Sequence, residues 1–322
     1  MKAVRYLSHG GPDVLRVEEI PAPEAGHGQV LIAVEAVGAN AIDTVFRRGG
    51  GAWARPLPGR LTGDVVGRVT ALGPGVEGVR VGDRVAALSE DAFAEVVAAD
   101  AQWLAPVPAG LDAATATVLP MTAPLALRLL KVGRLAAGET VLIQSAAGGV
   151  GHLAVQLARR LGAGTVVGTA SGPRKREFVR SLGADATADS GDPSWPEAVR
   201  SAAPHGVDVV LDSVGGGVFD AGLALLAPLG RMVTYGAITG EVPTVAAHGL
   251  FALKSVTGMS TLAWRAARPA EARADLTEAA RLLADGVLRP ATHATLPLAE
   301  VARAHEILDA RGNLGRVVIT MP

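Results

Sequence analysis

Hydrophobic residues change their spacing part-way along this chain. In the first third they form short runs bounded by Gly and Pro, such as Leu15-Arg16-Val17-Glu18-Glu19-Ile20 and Val30-Leu31-Ile32-Ala33-Val34-Glu35-Ala36-Val37. Gly63-Asp64-Val65-Val66-Gly67-Arg68-Val69 and Gly82-Asp83-Arg84-Val85 continue the pattern, which predicts β-strands joined by turns. From about residue 116 strand-length apolar runs alternate with helical periodicity. Strands are expected at 141–145, 165–169, 207–212 and 231–236. Helices are expected near 122–132, 150–161, 173–182, 194–202 and 217–227. Apolar strands alternating with helices imply a doubly wound parallel sheet. The tail predicts helices near 271–285 and 299–310, then a strand, Gly315-Arg316-Val317-Val318-Ile319. A last strand needs a sheet partner, so the tail is expected to return to the first domain. The boundaries read 1–115, completed by 256–322, around an inserted 116–255. The Gly/Pro-rich stretch 49–59 reads as a loop.

The most informative segment is 141–151, Val-Leu-Ile-Gln-Ser-Ala-Ala-Gly-Gly-Val-Gly. A short apolar run stops at small residues and leads into a helix. Val150, Leu153, Ala154, Leu157, Ala158 and Leu161 share one apolar face, and Gly162 closes the helix. Strand, tight loop and helix N-terminus form an arrangement that cradles a dinucleotide pyrophosphate. Ala147, Gly148, Gly149, Val150 and Gly151 would present backbone to the phosphates, with Gly148 allowing close approach and Gly151 tight helix packing. Ala146 replaces the first glycine of the usual pattern. The alternative is a plain βα turn whose glycines serve geometry only.

The next strand narrows the choice of cofactor. A carboxylate about 20 residues past the loop normally binds the ribose 2′-OH of NAD. Here the strand ends in Thr169-Ala170-Ser171-Gly172-Pro173-Arg174-Lys175-Arg176. A hydroxyl and cations suit a 2′-phosphate, so Thr169, Ser171, Arg174 and Lys175 point to NADPH. Otherwise this is a solvated basic turn with Ser171 as N-cap, although three cations there oppose the helix dipole.

Composition removes several classes. The 322 residues are 49% hydrophobic and 19% charged with a net charge of −1, which gives no electrostatic case for nucleic acid or acidic lipid. No 18-residue uncharged apolar run predicts a membrane span. The start, Met-Lys-Ala-Val-Arg-Tyr, reads as a strand and not as a signal peptide, so a cytoplasmic location is expected. Without Cys there are no disulfides and no thiolate metal sites. None of His9, His27, His152, His205, His248, His293 and His305 lies at metal-ligand spacing to another, so no metal is expected.

With these pieces placed, residues 1–320 resemble the zinc-free NADPH:quinone oxidoreductase branch of the medium-chain dehydrogenase/reductase superfamily. The likeness rests on M-K-A-V-R-Y at the start, G-A-N-A-I-D-T at 38–44, V-G-D-R-V at 81–85, A-A-G-G-V-G at 146–151, D-S-V-G-G at 212–216 and A-H-E-I-L at 304–308. It implies an α/β protein: a GroES-like β-barrel catalytic domain split around a Rossmann domain, with the cofactor in the cleft between them. It also implies that Asn40 stands where zinc-dependent relatives carry a cysteine, and Gly63-Asp64 where they carry His-Glu.

The same resemblance supplies candidate residues. It puts Asn40 near the nicotinamide, where an amide donor suits a developing oxyanion. Asp43 belongs to the same motif; an unperturbed Asp is ionised at neutral pH, which favours a structural hydrogen-bonding role over an acid. Tyr235 sits at a strand end, Gly236 and Ala237 are expected near the nicotinamide, and Val214 near the adenosine-side ribose. Arg311 and Asn313 would reach the phosphates. Ser190 replaces a tyrosine beside the 2′-phosphate. Phe46, Trp53, Phe251, Met259 and Trp264 are candidates for an apolar acceptor pocket, or else ordinary core. Hydride transfer from NADPH to a small hydrophobic quinone or enone follows. An enoyl or alkene reductase of a biosynthetic pathway is one alternative, and a weakly catalytic NADPH-binding sensor or structural protein another. A homodimer is expected through the edge of the Rossmann sheet around 231–258, with an edge strand within Gly240–Ser255.

Overall fold

The computed structural model describes residues 1–49 and 54–321. It divides into two compact units, Met1–Pro124 with Leu276–Pro322, and Leu125–Asp275. The return to the first unit therefore comes at 276, later than the expected 256. The reason is visible in the sheet: a sixth strand and a further helix follow residue 255 before the chain leaves the second unit.

The first unit opens with a two-stranded ribbon, β1 (Lys2–Arg5) and β2 (Arg16–Glu19). There follow β3 (Gln29–Ala39), α1 (Ala41–Arg48), β4 (Gly63–Leu72), β5 (Arg84–Ser89), β6 (Val96–Asp100), β7 (Ala105–Pro106), α2 (Ala113–Ala116) and the start of α3 (Thr122–Val132). In β3, buried and half-buried residues alternate from Gln29 to Glu35, the period of a strand with one face on a core. Val30, Ile32, Val34 and Val37 of β3 join Val65 and Val69 of β4 in that core. From Ala36 onward β3 is buried on both faces, and this doubly covered stretch leads to Asn40.

The second unit is built from β8 (Thr140–Ile143), α4 (Gly151–Arg160), β9 (Thr165–Thr169), α5 (Gly172–Ser181), β10 (Ala186–Ala188), α6 (Trp195–Ala202), β11 (Val207–Asp212), α7 (Gly216–Leu225), β12 (Leu226–Thr234), β13 (Ser255–Gly258) and α8 (Thr261–Ala267). The sheet order is β10-β9-β8-β11-β12-β13, and every neighbouring pair is parallel. Relative to the first strand, β8, this is the 3-2-1-4-5-6 order of the Rossmann fold. Val141, Leu142 and Ile143 are fully buried because helices cover both faces of a parallel sheet. Leu153 and Leu157 hold α4 on that sheet; burying each contributes roughly 1.5–3 kcal/mol. Leu161, expected on the same face, lies at the C-cap and is partly exposed.

α9 (Pro269–Ala284) crosses from the second unit to the first. The chain then forms β14 (Thr292–Pro297), α10 (Val301–Asp309) and β15 (Arg316–Thr320). β15 pairs antiparallel with β3 and parallel with β14, so the last strand does return to the first sheet. Its order is β14-β15-β3-β4-β5-β7, with β6 also on β3. The edge strand expected within Gly240–Ser255 begins only at Ser255; up to Lys254 that segment is irregular apart from a 3₁₀ turn at Ala247–Leu250. Its Gly and Pro punctuation and the exposed 3₁₀ turn account for the delay.

Candidate active site

The loop after β8 is shaped by a few close contacts. Ser145 takes a positive φ of 52°, and its carbonyl accepts from Gly148 N–H at 2.9 Å. Gly151 starts α4 directly against this turn: a Cβ there would lie 2.4 Å from the Ser145 oxygen, so no side chain fits. The neighbouring strand holds the loop from below. Ala146 N–H donates to the Thr169 carbonyl at 2.9 Å, and Ser145 N–H to the Thr169 hydroxyl at 3.2 Å. The N–H groups of Ala147, Gly149 and Val150 have no backbone acceptor. Unsatisfied donors at a helix N-terminus are an anion site in search of a ligand. Thr169 is 2% exposed, and its hydroxyl is taken by the loop.

Beyond β9, Ser171 is the N-cap of α5, yet its side chain makes no capping bond. Gly172 N–H goes instead to the carboxylate of Asp189, at 3.2 and 3.3 Å. Asp189 also accepts from Gly191 N–H and pairs with Arg176 at 3.4 Å. Those backbone donors, led by Gly191, hold its carboxyl below the usual carboxylate range. The basic run therefore carries a carboxylate that sequence reading missed, because Asp189 is remote in sequence and is brought in by β10. Ser171 and Arg174 remain exposed, and Lys175 is half-buried beside them.

The ends of β11 and β12 form one knot. Buried Asp212 accepts from Val214 and Gly215 N–H at 3.0 and 3.3 Å and from the Thr234 hydroxyl at 3.2 Å. Val214 is buried, and its carbonyl accepts from the Thr239 hydroxyl and N–H. Tyr235 N–H donates to the Asp212 carbonyl at 2.8 Å. Burial pushes the Tyr235 phenol up to about 12, opposed by a hydrogen bond with Ser213, so it is neutral at physiological pH. Gly236 and Ala237 follow directly and are half-buried. Asp212 was legible only as part of a motif; its role as the clasp of this turn needed the fold.

In the first unit, Asn40 stands between β3 and α1 and is 8% exposed. Its Oδ1 accepts from an Arg316 N–H at 2.8 Å. The same guanidinium pairs with Asp64 at 2.7 Å, and Asp64 also accepts from the Thr122 hydroxyl at 3.1 Å. Burial pushes the Asp64 carboxyl up, and Arg316, Thr122 and Asn40 pull it back. Asn40 Nδ2, the only donor of that amide, is the atom by which it helps to pull the Asp64 carboxyl back. Arg316 fits because Gly38 faces it: a Cβ at 38 would sit 1.7 Å from a guanidinium nitrogen. Arg316, Asp64 and Thr122 were not singled out as partners in the sequence, since they come from β15, β4 and α3.

Asp43 is wholly buried in α1 and accepts from Thr62 N–H at 2.7 Å and the Thr62 hydroxyl at 2.9 Å. Burial, only partly offset by Thr62, raises its carboxyl to about 7. The expectation of an ordinary ionised Asp is thus corrected: at neutral pH it is part protonated. In the unfolded chain the carboxyl would titrate near 4. The folded state then binds the extra proton, so stability falls as pH rises from about 4 through about 7. Asp43→Asn is expected to flatten that fall, measured by urea unfolding at a series of pH values; an unchanged pH slope would contradict it.

The pocket candidates are spread over both units. Phe46 is buried in α1 with the Arg55 guanidinium 3.8 Å from its ring centre, a cation–π contact. Trp53 lies outside the described residues. In the second unit, Met259 and Trp264 are half-buried, and Arg128 stacks 4.3 Å from the Trp264 ring. Phe251 stands on the surface, 82% exposed. Arg311 and Asn313 lie between α10 and β15, and Asn313 Nδ2 donates to the Gly315 carbonyl. Among the described residues no cluster of three or more His, Cys, Asp or Glu could hold a metal ion, and no helix is long and apolar enough to cross a membrane.

The chain is similar in sequence and fold to known proteins. Residues 26–109 match the alcohol dehydrogenase GroES-like domain, and residues 149–284 match the zinc-binding dehydrogenase family. The structure of mycobacterial Rv1454c complexed with NADPH is 36% identical, with a TM-score of 0.93 over 99% of this chain and 100% of that one. The chain belongs to the medium-chain dehydrogenase/reductase superfamily. Escherichia coli quinone oxidoreductase complexed with NADPH, another solved structure similar to this superfamily member, is 28% identical with a TM-score of 0.87, over 99% and 100% of the two chains. Among curated proteins, the spectinabilin polyketide synthase system protein NorB of Streptomyces orinoci is 37% identical over 99% of this chain. The chain spans about one seventh of the length of the curated relatives it matches, 14% in that case. The superfamily accounts for the α/β fold, a GroES-like unit with a Rossmann unit.

Proposed function

We propose that this protein is an NADPH-dependent reductase of conjugated carbonyl compounds, a quinone or an α,β-unsaturated carbonyl, that works without zinc. The loop at 145–151 carries the first part of the reading. Its free N–H groups and the side-chain-free start of α4 fit a dinucleotide pyrophosphate. Ser171, Arg174 and Lys175 suit the 2′-phosphate, and similar proteins have been solved with NADPH. Thr169 serves by holding the loop, and Val214, Gly236, Ala237, Arg311 and Asn313 remain our candidates for further contacts with the cofactor.

The residues at the expected zinc position do not suit the metal. Zinc requires N, S or O ligands with free lone pairs. Here Asn40 turns its oxygen to a guanidinium, Gly63 has no side chain, and Asp64 is held by the same cation. When bound, NADPH supplies the hydride that adds to the conjugated acceptor. The chain's own part is to orient that acceptor and to stabilise the charge its oxygen gains. The amide of Asn40, buried between β3 and α1, is our candidate for that task. Tyr235, directly after β12, is a neutral phenol able to donate or to pack. Asp43 acts through α1 as a structural acceptor, and solvent supplies the proton that completes reduction.

A second reading has its own support. Similar curated proteins include polyketide synthases, so an enoyl thioester is a candidate acceptor with the same chemistry. A panel of quinones, enones and enoyl thioesters, followed by NADPH absorbance, separates them. Turnover confined to thioesters would favour the second reading. Tight NADPH binding with no acceptor-dependent turnover would favour a sensor or structural role.

The open edge of β13 and the exposed Val242, Val245, Phe251 and Leu253 before it support a homodimer through this edge. Sedimentation equilibrium is expected to return the mass of two chains; the mass of one chain at micromolar concentration would contradict it.

A further inference from the structure

We infer that His152 is a positioning residue for the cofactor pyrophosphate: its imidazole pins the Gly148 carbonyl and thereby sets where the Gly149 N–H points. This rests on the NADPH reading above. His152 is fully buried in the first turn of α4. Its ring Nδ1 lies 2.8 Å from the carbonyl oxygen of Gly148, four residues back. A carbonyl oxygen only accepts, so Nδ1 carries the hydrogen and donates. The His152 backbone N–H donates to the same oxygen at 3.1 Å. One residue thus engages both lone pairs of this carbonyl and directs it into α4. Gly148 C=O and Gly149 N–H belong to one planar trans peptide, so they point in opposite directions. With the carbonyl held toward His152, the Gly149 N–H faces back off the helix N-terminus. It is one of the loop donors with no backbone acceptor. Gly148, Gly149 and Val150 are only half-buried and Ser145 is exposed, so the turn lies at the surface.

The ring is itself held in place. Phe178 of α5 packs beside it, with ring centres 6.3 Å apart and planes tilted by 30°. One turn further along α4, the Gln156 side chain donates to the His152 carbonyl at 3.0 Å. The other side of Gly148 is fixed as well, since its N–H donates to the Ser145 carbonyl at 2.9 Å. Gly148 is therefore tied to the turn through its N–H and to the helix through its C=O. Helix ends fray, and the imidazole adds a second bond that resists rotation of this peptide. Packing alone would not call for a polar ring here, because a buried imidazole costs free energy unless its N–H is met.

The test compares His152→Asn, His152→Gln and His152→Leu, each checked for folding by a melting curve. Asparagine carries its amide nitrogen on Cγ, the atom that bears Nδ1 in histidine; glutamine carries it one atom further out. Leucine fills space and donates nothing. Isothermal titration with NADPH is expected to give a Kd within about threefold of the parent protein in His152→Asn, and about tenfold weaker in His152→Gln and His152→Leu, the loss of one orienting hydrogen bond. NADH should weaken by the same factor, because the pyrophosphate is common to both. A folded His152→Leu variant with a Kd within about twofold of the parent protein, or equal affinities in the Asn and Gln variants, would overturn the inference. If His152→Leu does not fold, the comparison of Asn with Gln decides. An independent readout is the Gly148 carbonyl ¹³C signal of the protein without cofactor, detected through the Gly149 amide. It is expected to move upfield in His152→Gln and His152→Leu and to stay near the parent position in His152→Asn; an unmoved signal in His152→Leu or, if that variant does not fold, in His152→Gln would overturn the inference. If the parent protein binds neither NADPH nor NADH, the cofactor reading fails, and the carbonyl signal still decides whether His152 holds Gly148.

Discussion

Gly148→Val is expected to leave the second unit folded and to raise the Kd for NADPH at least about 100-fold, roughly 2.7 kcal/mol of binding free energy. The fold should survive because a Cβ at 148 meets only the Ser145 carbonyl, at 3.2 Å, and Gly148 is not at a positive φ. The ligand should not, because the added side chain stands among the free N–H groups of Ala147, Gly149 and Val150. Gly151→Val is the contrasting case. Its Cβ would strike the Ser145 oxygen and the Ala146 Cα at 2.4 and 2.8 Å, so stability and binding should fall together. Isothermal titration with NADPH, paired with a melting curve, separates the two. Normal affinity in a folded Gly148→Val variant would remove the loop from the cofactor site.

The second large effect concerns stability. Arg47 is fully buried between α1 and α10. Its guanidinium donates to the Gly10 carbonyl at 2.8 Å and to His305 Nδ1 at 3.2 Å, and it pairs with Asp309. Arg47→Met breaks all three and is expected to cost about 3–5 kcal/mol, as for a buried pair that loses one partner. That corresponds to a Tm lower by roughly 10 °C for a unit of this size. The His305 imidazole is held down to about 3, by burial first and then by the Arg47 cation. Its folded pKa is below the unfolded one, so the unfolded chain takes up the proton first as pH falls. Stability from this group is lost between about pH 6.5 and pH 3. His305→Gln should reduce the acid sensitivity in that window. Calorimetry across pH checks both; a Tm within about 2 °C of the parent protein in Arg47→Met would contradict the first.

Much of the fold was legible because periodicity is local. Val141 to Ile143, the apolar face of α4 and the strands at 165–169 and 207–212 each follow from side chains within one window. The return of the last strand to the first sheet also followed, since a strand cannot stand without a partner. The end of the second unit was misplaced because β13 is only four residues long, too short to show a period. The strand, tight loop and helix start at 141–151 were readable for the same local reason. The rest of the site was not, because its decisive contacts join residues far apart in sequence. Arg316 and Asn40 are 276 positions apart, and Arg316 and Asp64 252. Asp189 meets Gly172 only because β10 lies beside β9. Asp43 was read as an ordinary carboxylate because burial, which raises it to about 7, is a property of the packed molecule.

The central claim is that the loop at 145–151 and the run Ser171–Lys175 together form an NADPH site. Paired titration of the protein with NADPH and NADH tests it most directly. The account predicts saturable binding of NADPH at least about tenfold tighter than that of NADH, a gap of about 1.4 kcal/mol from the 2′-phosphate. Equal affinities, or a preference for NADH, would contradict it.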